Sequence, residues 1–428
     1  MLLAWNTSSH PNWGARGAHV ATHRLLQKTG ADLERLPRKY QTLGRPIGFP
    51  GPRQVWEALW WRREKPGIAQ AYDTLESWFG GRDDFIDPRP EVSRKNILRN
   101  LESDYIRALH DAVKRHDVIV VDGNGDMIFK DEPKRNLLVN LALVELGDYF
   151  GKEVYYINSI FADCPITGRN QTLATRCINA LKKCAAVSFR DPRSLELARD
   201  MEENLNAECI PDSMFYWYDH LSDSESQVPG DGDFIIPYTR EDAKYLGDLN
   251  FEVPYVCVTG GSRAAFTPEK AVDGYCDLVK QLARLKPAVY LVPTGAGDNF
   301  LYEVAEETQT PIVPTETPVL MGGAVLANAQ LVVTGRYHPS IMAAAGGTPC
   351  VFLGADSHKT SSLQRLLGYD EVRTFSAIPG PDEREAIVAR GHALMDEGES
   401  LRDRIQQAAQ KRAEEVTQVV SLVTERER

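Results

Sequence analysis

Three side chains that can bind or protonate an anionic substrate lie near the C-terminus: Arg336, His338 and Lys359. Arg336 and His338 follow the apolar run at residues 331–334, and Lys359 follows a second apolar run at residues 350–353. The Ala-rich segment between the runs favours a helix, so the stretch is typical of one βαβ step. Open α/β sheets bind ligands at the carboxyl ends of their strands. We therefore predict one crevice with a guanidinium, an imidazole and an ammonium group, suited to a phosphorylated or carboxylated substrate that must be protonated.

Loops after other predicted strands carry further candidate binding groups. Asn12 and Gly14 precede a helix whose first N–H groups could hold an anion, although a plain strand-to-helix turn explains them equally well. Asp122 lies in the loop DGNGD, where a turn rich in Asx residues is a slightly better explanation than substrate contact. Ser262 and Arg263 belong to the loop GGSR, which could hold a phosphate but matches neither a Walker sequence nor G-x-G-x-x-G.

A longer pattern surrounds the C-terminal residues. It begins G-R-Y-H-x-x-I-x-A at Gly335, continues with G-x-P, and ends in the loop that contains Lys359. Upstream, VSFRDPRSLELA contains Arg190, IPDSMF contains Asp212, and NWGARGAHVATHRLL follows the first predicted strand. This order, over roughly residues 6 to 365, resembles the polysaccharide pyruvyl transferase family. Tyr337 stands where that family commonly has Leu.

The resemblance implies a fold and a reaction. The fold is α/β, with two Rossmann-like domains facing across a cleft (the GT-B type) and a C-terminal helix. The reaction moves pyruvate from phosphoenolpyruvate onto two hydroxyls of a glycan sugar, forming a cyclic ketal and releasing phosphate. His338 is then the acid, and Arg190, Arg336 and Lys359 bind the donor, so that neither a metal nor a cofactor is required. The remaining substrate-contact candidates are Asn12, Gly14, Asp122, Asp212, Ser262 and Arg263.

A polar, acidic and Pro/Gly-rich segment at residues 219–248 is typical of a linker between domains. We predict an N-terminal Rossmann-like domain at residues 1–230, on the acceptor side of the cleft. A C-terminal Rossmann-like domain at residues 231–395 is predicted on the phosphoenolpyruvate side. Residues 396–428 are predicted to form a helix that packs across both domains.

Composition excludes several other classes of protein. The chain has 428 residues, 43% of them hydrophobic and 25% charged, as in ordinary globular proteins. A net charge of −11 argues against a nucleic-acid partner, which favours a basic surface. No apolar run approaches the ~20 residues that span a bilayer, and the N-terminus lacks a signal-peptide pattern, so we expect a cytoplasmic protein. The seven cysteines contain no CxxC pair, so neither disulfides nor structural zinc are predicted.

Two other functions and several partners stay open at this stage. One alternative is a GT-B glycosyltransferase or sugar-nucleotide epimerase that uses a nucleotide sugar, and the other is a non-catalytic glycan-binding or assembly protein. The acceptor is a glycan or a lipid-linked saccharide, and a homo-oligomer is compatible with the sequence. Residues 56–63, with three tryptophans and two arginines, could dock a sugar chain or a membrane surface, but packing is the favoured explanation.

Overall fold

Two parallel β-sheets form the framework of the protein. The computed structural model describes residues 1–7, 12–37, 44–47, 81–221 and 249–424. The strands are, in chain order, β1 (Leu2–Asn6), β2 (Glu34–Pro37), β3 (Gly44–Ile47), β4 (Gly81–Asp84), β5 (Val118–Asp122), β6 (Ile128–Phe129), β7 (Glu153–Ser159), β8 (Ala162–Asp163), β9 (Ala186–Phe189), β10 (Ala207–Cys209), β11 (Tyr255–Gly261), β12 (Ala288–Leu291), β13 (Leu331–Gly335), β14 (Cys350–Leu353) and β15 (Thr374–Phe375).

Helices connect most of these strands. They are, in chain order, α1 (Trp13–Gln27), α2 (Pro90–Arg99), α3 (Asp104–Arg115), α4 (Arg135–Tyr149), α5 (Gln171–Leu181), α6 (Pro192–Met201), α7 (Tyr218–Leu221), α8 (Pro268–Leu282), α9 (Phe300–Thr308), α10 (Val319–Ala327), α11 (Tyr337–Ala345), α12 (Lys359–Leu366), α13 (Pro381–Asp396), α14 (Gly398–Glu415) and α15 (Gln418–Thr424). Short 3₁₀ helices occur at Ser213–Trp217, Ala264–Phe266, Ala283–Leu285 and Ala296–Asp298.

The first sheet has the strand order β10-β9-β7-β5-β1-β2, and the second has the order β12-β11-β13-β14-β15. All neighbouring strands in both sheets are parallel. The central strands β11 and β13 are buried along their whole length, as expected for parallel strands covered on both faces. The predicted α/β fold is therefore confirmed. Two short pairs, antiparallel β3–β4 and parallel β6–β8, lie outside the main sheets.

Strand order fixes where each sheet can bind a ligand. In the first sheet the chain moves from β1 outward to β2, and then from β5 in the opposite direction to β10. In the second sheet it moves from β11 to β12, and then from β13 to β15. The direction therefore reverses between β1 and β5 and between β11 and β13, and such switch points open a crevice at the carboxyl ends of the strands. Candidate residues from the sequence follow all four of these strands.

The chain after residue 380 is divided into three helices. Helix α13 packs on β13 and β14 of the second sheet, and α14 contacts α11 and the 3₁₀ helix Ser213–Trp217. Helix α15 contacts α1 and β9 of the first sheet. The predicted C-terminal helix is thus present, divided into α14 and α15 between residues 415 and 418. None of the described helices combines the length and apolarity needed to cross a bilayer.

Some sequence expectations differ from the structure or lie outside it. The sequence predicts a further strand at PIVPTE after β12, but this segment contributes only an isolated bridge between Leu291 and Ile312, because its two prolines lack the N–H groups that a strand ladder uses. The predicted domain boundary at residues 230–231 lies outside the described residues, as does the tryptophan-rich segment at residues 56–63.

Candidate active site

The first turn of α1 lies against the second sheet. Asn12 caps this helix, its Oδ1 accepting a hydrogen bond from the backbone N of Ala15 at 3.0 Å. Trp13 follows and donates from its backbone N to the Thr294 carbonyl at 2.9 Å and from Nε1 to the Thr315 carbonyl at 2.8 Å. The segment after β1 is therefore bonded to loops of the second sheet. The switch point of the first sheet and the switch point of the second sheet therefore lie at one interface between the sheets.

His338 occupies the first turn of α11 at this interface. Its Nε2 lies 3.4 Å from Oδ2 of Asp212, close enough for an ion pair, yet it makes no hydrogen bond to any described residue. On the other side, a Cβ atom on Gly14 would overlap Nδ1 of the same ring. The glycine predicted as an anion contact therefore makes room for the imidazole. His338 lies between a carboxylate and the N-terminus of α1.

Asp212 is a fully buried carboxylate at the start of the 3₁₀ helix Ser213–Trp217. Its Oδ1 accepts from the backbone N of Met214 at 2.9 Å, and its Oδ2 accepts from Nη1 of Arg190 at 2.9 Å. Burial alone would raise the pKa of Asp212, but the neighbouring His338 and Arg190 outweigh it and lower the pKa to about 2. Asp212 is therefore ionised at neutral pH and acts as a fixed negative charge beside the imidazole.

Arg190 follows β9 and is 1% exposed. Both hydrogen bonds of its guanidinium come from Nη1, to Asp212 and, at 3.3 Å, to Oδ1 of Asn124. The ring of Tyr337 stacks on it, with the Arg190 Cζ 4.2 Å from the ring centre. Nε is buried and has no hydrogen-bond partner among the described residues. An Nε–Nη2 edge can form paired hydrogen bonds with a carboxylate, and no described residue takes up this edge of Arg190.

In Arg336, unlike Arg190, the Nε–Nη2 edge is already bonded within the protein. Its Nε and Nη2 both donate to Oδ1 of Asp298, at 3.0 and 2.6 Å. Asp298 is itself buried and accepts at Oδ2 from the backbone N and the hydroxyl of Thr294, each at 3.0 Å. The predicted fork of Arg336 therefore faces a resident carboxylate, and Nη1 is the group left without such a bond.

Sequence reasoning did not select Asp298. It lies in the loop PTGAGDN after β12, a strand end of the same sheet, and this position is the signal that could have identified it. The surrounding glycines fit tightly: a Cβ on Gly260 would overlap Oδ1 of Asp298, and one on Gly297 would lie 2.8 Å from Nη2 of Arg336.

Lys359 is the first residue of α12, and its ammonium group donates to Oδ1 of Asp356 at 2.5 Å. His358 precedes it and contacts Oδ1 of Asp191 through Nε2 at 3.0 Å, across the interface. Asp191 also accepts from the backbone N of Ser194, which makes it the N-cap of α6, with Pro192 as the first helical residue. The segment after β14 is thus joined to the first sheet.

Asp122 ends β5 on the other side of the first switch point. Its two oxygens accept from Thr22 Oγ1 and from Asn158 Nδ2, each at 3.1 Å. Burial, together with the negative charge of Asp212, raises the pKa of Asp122 to about 7 despite these hydrogen bonds. Its carboxyl group therefore changes charge near neutral pH, whereas that of Asp212 does not.

The GGSR loop lies after β11, at the second switch point. Ser262 Oγ is buried without a hydrogen-bond partner in the described part of the chain, and the partly exposed Arg263 forms no side-chain hydrogen bond or ion pair there. Buried polar atoms are nearly always satisfied in native proteins. The unsatisfied atoms at Ser262, Arg190 and His338 are therefore candidate ligand contacts, although others of the same kind, such as Nε of Arg94 and of Arg404, occur elsewhere in the described chain. The described residues contain no group of three or more His, Cys, Asp or Glu side chains suited to a metal ion.

Comparison with known families agrees with this geometry. The model of the polysaccharide pyruvyl transferase family matches residues 71–357, more than half of the chain. The chain belongs to the polysaccharide pyruvyl transferase family. It is therefore a member of an enzyme family, as the motif order predicted. The match includes Arg190, Asp212, Arg336 and His338, but not the segment around Asn12 or Lys359. No curated protein matches the sequence.

Solved structures with similar folds are GT-B enzymes. UDP-GlcNAc 2-epimerase from Neisseria meningitidis, bound to UDP-GlcNAc, is 9% identical with a TM-score of 0.53, and the alignment covers 96% of this chain and 98% of the epimerase. UDP-GlcNAc 2-epimerase from Methanocaldococcus jannaschii is 10% identical with a TM-score of 0.51, covering 92% and 91% of the two chains. At such identities the likeness shows the fold alone. It confirms the predicted GT-B arrangement.

We expect Gly14→Ala to lower turnover by about tenfold or more, because misplacing a catalytic group by about 1 Å can cost about 10²-fold. The new methyl group would overlap the His338 ring and displace it from its position beside Asp212. Alanine favours helices, so α1 itself should persist. Turnover and circular dichroism would be measured together. Gly380→Ala, where a Cβ meets no atom within 4 Å, is the matched control. Unchanged turnover in folded Gly14→Ala would contradict this positioning role.

We also expect Arg336→Lys to weaken donor binding. Lysine keeps the charge but lacks the planar guanidinium, which places two N–H groups on Asp298 and holds Nη1 in a fixed position relative to them. Calorimetry with phosphoenolpyruvate would measure the loss, with thermal melting as the check on folding. Arg365→Lys, near the end of α12, provides a control for the same chemical change. Equal donor affinity in Arg336→Lys and the unmodified protein would exclude a binding role for Arg336.

Proposed function

We propose that this enzyme transfers pyruvate from phosphoenolpyruvate onto two hydroxyls of a glycan sugar as a cyclic ketal, with release of phosphate. The observation that carries the proposal is the pairing of Arg190 and His338 around Asp212. Among the described residues, Nε of Arg190 and Nε2 of His338 have no hydrogen-bond partner, so the Nε–Nη2 edge of Arg190 suits a carboxylate and Nε2 of His338 suits a proton transfer. Phosphoenolpyruvate carries its carboxylate on C2, and the carbon that must be protonated is the methylene carbon bonded to C2.

The reaction starts with proton transfer from the His338 imidazolium to the methylene carbon of the donor, which becomes a methyl group. The adjacent carbon, C2, becomes cation-like and forms a bond with the first sugar hydroxyl, whose proton returns to the imidazole. Ionised Asp212, 3.4 Å from Nε2, supplies the negative charge that faces the imidazolium. His338 is thus unchanged after this half of the reaction.

The second half replaces phosphate by the second hydroxyl. The bond between C2 and the phosphate oxygen breaks, the second sugar hydroxyl bonds to C2, and its proton leaves with the phosphate. Cationic side chains stabilise the negative charge that develops on the departing group. Arg190, Arg336 and Lys359 are the cations proposed for the donor. Arg190 comes from the first sheet and the other two from the second, so both domains contribute to donor binding in this proposal.

Mass spectrometry of glycans incubated with the protein and phosphoenolpyruvate tests the proposal directly. We expect the mass of a pyruvate ketal on the glycan and stoichiometric release of phosphate, and neither with His338→Gln as the control. Incubation with UDP-sugars in parallel tests the nucleotide-sugar alternative. Turnover of a UDP-sugar without any use of phosphoenolpyruvate would overturn the proposed donor.

A further inference from the structure

Two lysines from opposite sides of the interface share one carboxylate. Lys134 lies just before α4 of the first domain, and Lys359 begins α12 of the second. Lys359 Nζ is 2.5 Å from Oδ1 of Asp356, and Lys134 Nζ is 3.3 Å from its Oδ2. Neither Lys134 nor Asp356 was among the candidate binding residues in the sequence. Because the two lysines are 225 positions apart, only the tertiary structure brings them together.

The ammonium groups have more N–H donors than the protein has acceptors. Each ammonium carries three donors. Lys359 bonds only to Asp356 among the described residues, although its side chain is only 12% exposed. Lys134 bonds to Asp356 and, at 2.7 Å, to the Gly125 carbonyl, while Asp126 Oδ1 lies further away at 3.9 Å. Three N–H groups are therefore available to another acceptor.

The charges of the cluster favour an anion as that acceptor. Burial lowers the pKa of Lys359, and the nearby charges of Lys134 and Arg190 lower it further, against the opposite effect of Asp356. Lys134, Lys359 and Arg190 thus lie near one another, with Asp356 and, 3.9 Å from Lys134, Asp126 as the facing carboxylates. The hydroxyl of Ser357, next to Asp356 in the sequence, is also buried without a hydrogen-bond partner in the described chain.

We propose that Lys134 and Lys359, one from each domain, form the subsite for the phosphate group of the donor and for the phosphate product. The proposal rests on the proposed function, in which the donor carboxylate binds Arg190. Phosphate oxygens accept the spare N–H donors of both lysines and displace part of their contact with Asp356. Since the lysines belong to different domains, bound phosphate also ties the domains together.

The competing explanation is structural: the Lys134–Asp356 ion pair simply joins the two domains. Inorganic phosphate distinguishes the two, since its binding does not depend on pyruvate transfer. Lys183 provides a matched control, because it also contacts two carboxylates, Glu145 at 2.5 Å and Asp148 at 3.4 Å, in the same domain. It follows α5 and so lies at the amino ends of the strands, away from the interface.

Phosphate binding to the full chain would be measured by calorimetry at fixed ionic strength, with circular dichroism as the folding check. We expect Lys134→Gln to weaken phosphate binding about tenfold or more, as for the loss of a charged hydrogen bond, and Lys183→Gln to leave it unchanged. Asp356→Asn, which removes the competing carboxylate, is expected to tighten phosphate binding. This opposite sign also provides a test if Lys134→Gln does not fold.

Three results would overturn the subsite: no phosphate binding to the unmodified protein, equal affinity in folded Lys134→Gln, or equal weakening in Lys183→Gln. Weaker phosphate binding in Asp356→Asn would favour the structural explanation and likewise overturn it. Phosphate binding that depends on Lys134, without pyruvate transfer to any glycan, would retain the subsite and reject the proposed function. Pyruvate transfer to a glycan, combined with a phosphate affinity that does not depend on Lys134, would reject the subsite and retain the proposed function.

Discussion

Replacement of His338 by glutamine is expected to lower turnover by about 10²–10⁴-fold while donor affinity changes little. Glutamine keeps a hydrogen-bond donor of similar reach but has no proton to transfer near neutral pH. The fold should persist, because the residue lies in the first turn of α11 beside Gly14 and can still face Asp212. Steady-state rates with phosphoenolpyruvate and calorimetric donor affinity, measured on the same preparation, check both parts of the prediction.

The pH profile provides a second check on His338. Because a general acid acts in its protonated form, activity of the unmodified enzyme should fall at high pH, and His338→Gln should lose this dependence. The opposite finding, a glutamine variant with near-normal turnover and profile, would make His338 a binding residue. Asp122 would then be the next candidate acid, because its pKa of about 7 keeps part of the molecules protonated at neutral pH. Asp212 would not be a candidate acid, since its pKa is about 2.

Arg190→Lys is expected to weaken phosphoenolpyruvate binding by about 10- to 100-fold, the usual range for a hydrogen bond between charged groups. Lysine can still pair with Asp212, so the buried carboxylate keeps a cation and the protein should stay folded. What it loses is the paired Nε–Nη2 edge and the planar stacking on Tyr337. Calorimetry with phosphoenolpyruvate measures the loss.

Arg193→Lys is the matched control for Arg190→Lys. Arg193 lies three residues further on, in the first turn of α6, where its side chain is half exposed and, among the described residues, pairs only with Glu196. Its replacement should leave donor affinity and melting temperature unchanged. If Arg190→Lys melts normally and binds the donor as tightly as the unmodified protein, the fork assigned to Arg190 is wrong.

The structure gives a physical role to Tyr337, a residue that departs from the family pattern. The sequence shows only that an aromatic residue stands where Leu is common. In the structure its ring lies on the Arg190 guanidinium, 4.2 Å from Cζ, and so fixes the plane of the group proposed to bind the donor carboxylate.

The sequence by itself determined the local elements that carry the site. The apolar runs at residues 331–334 and 350–353 become β13 and β14, and the Ala-rich segment becomes α11, because burial and helix propensity act over a few neighbouring residues. Glycine, Asp191 and Pro192 mark the ends of strands and the start of α6 for equally local reasons. Motif order also identified the family, and with it the fold.

Only the tertiary structure determined which charged side chains form pairs. Arg190 pairs with Asp212, Arg336 with Asp298, and Lys134 with Asp356 in the other domain. Gly14 leaves room for the His338 ring, because a Cβ atom at that position would overlap the ring. No local pattern encodes these pairs, because they depend on how the two sheets place the ends of their strands against each other. For that reason sequence reasoning missed Asp298, Asp356 and Lys134, and the edge that we propose for the donor carboxylate belongs to Arg190, although the sequence favoured Arg336 equally.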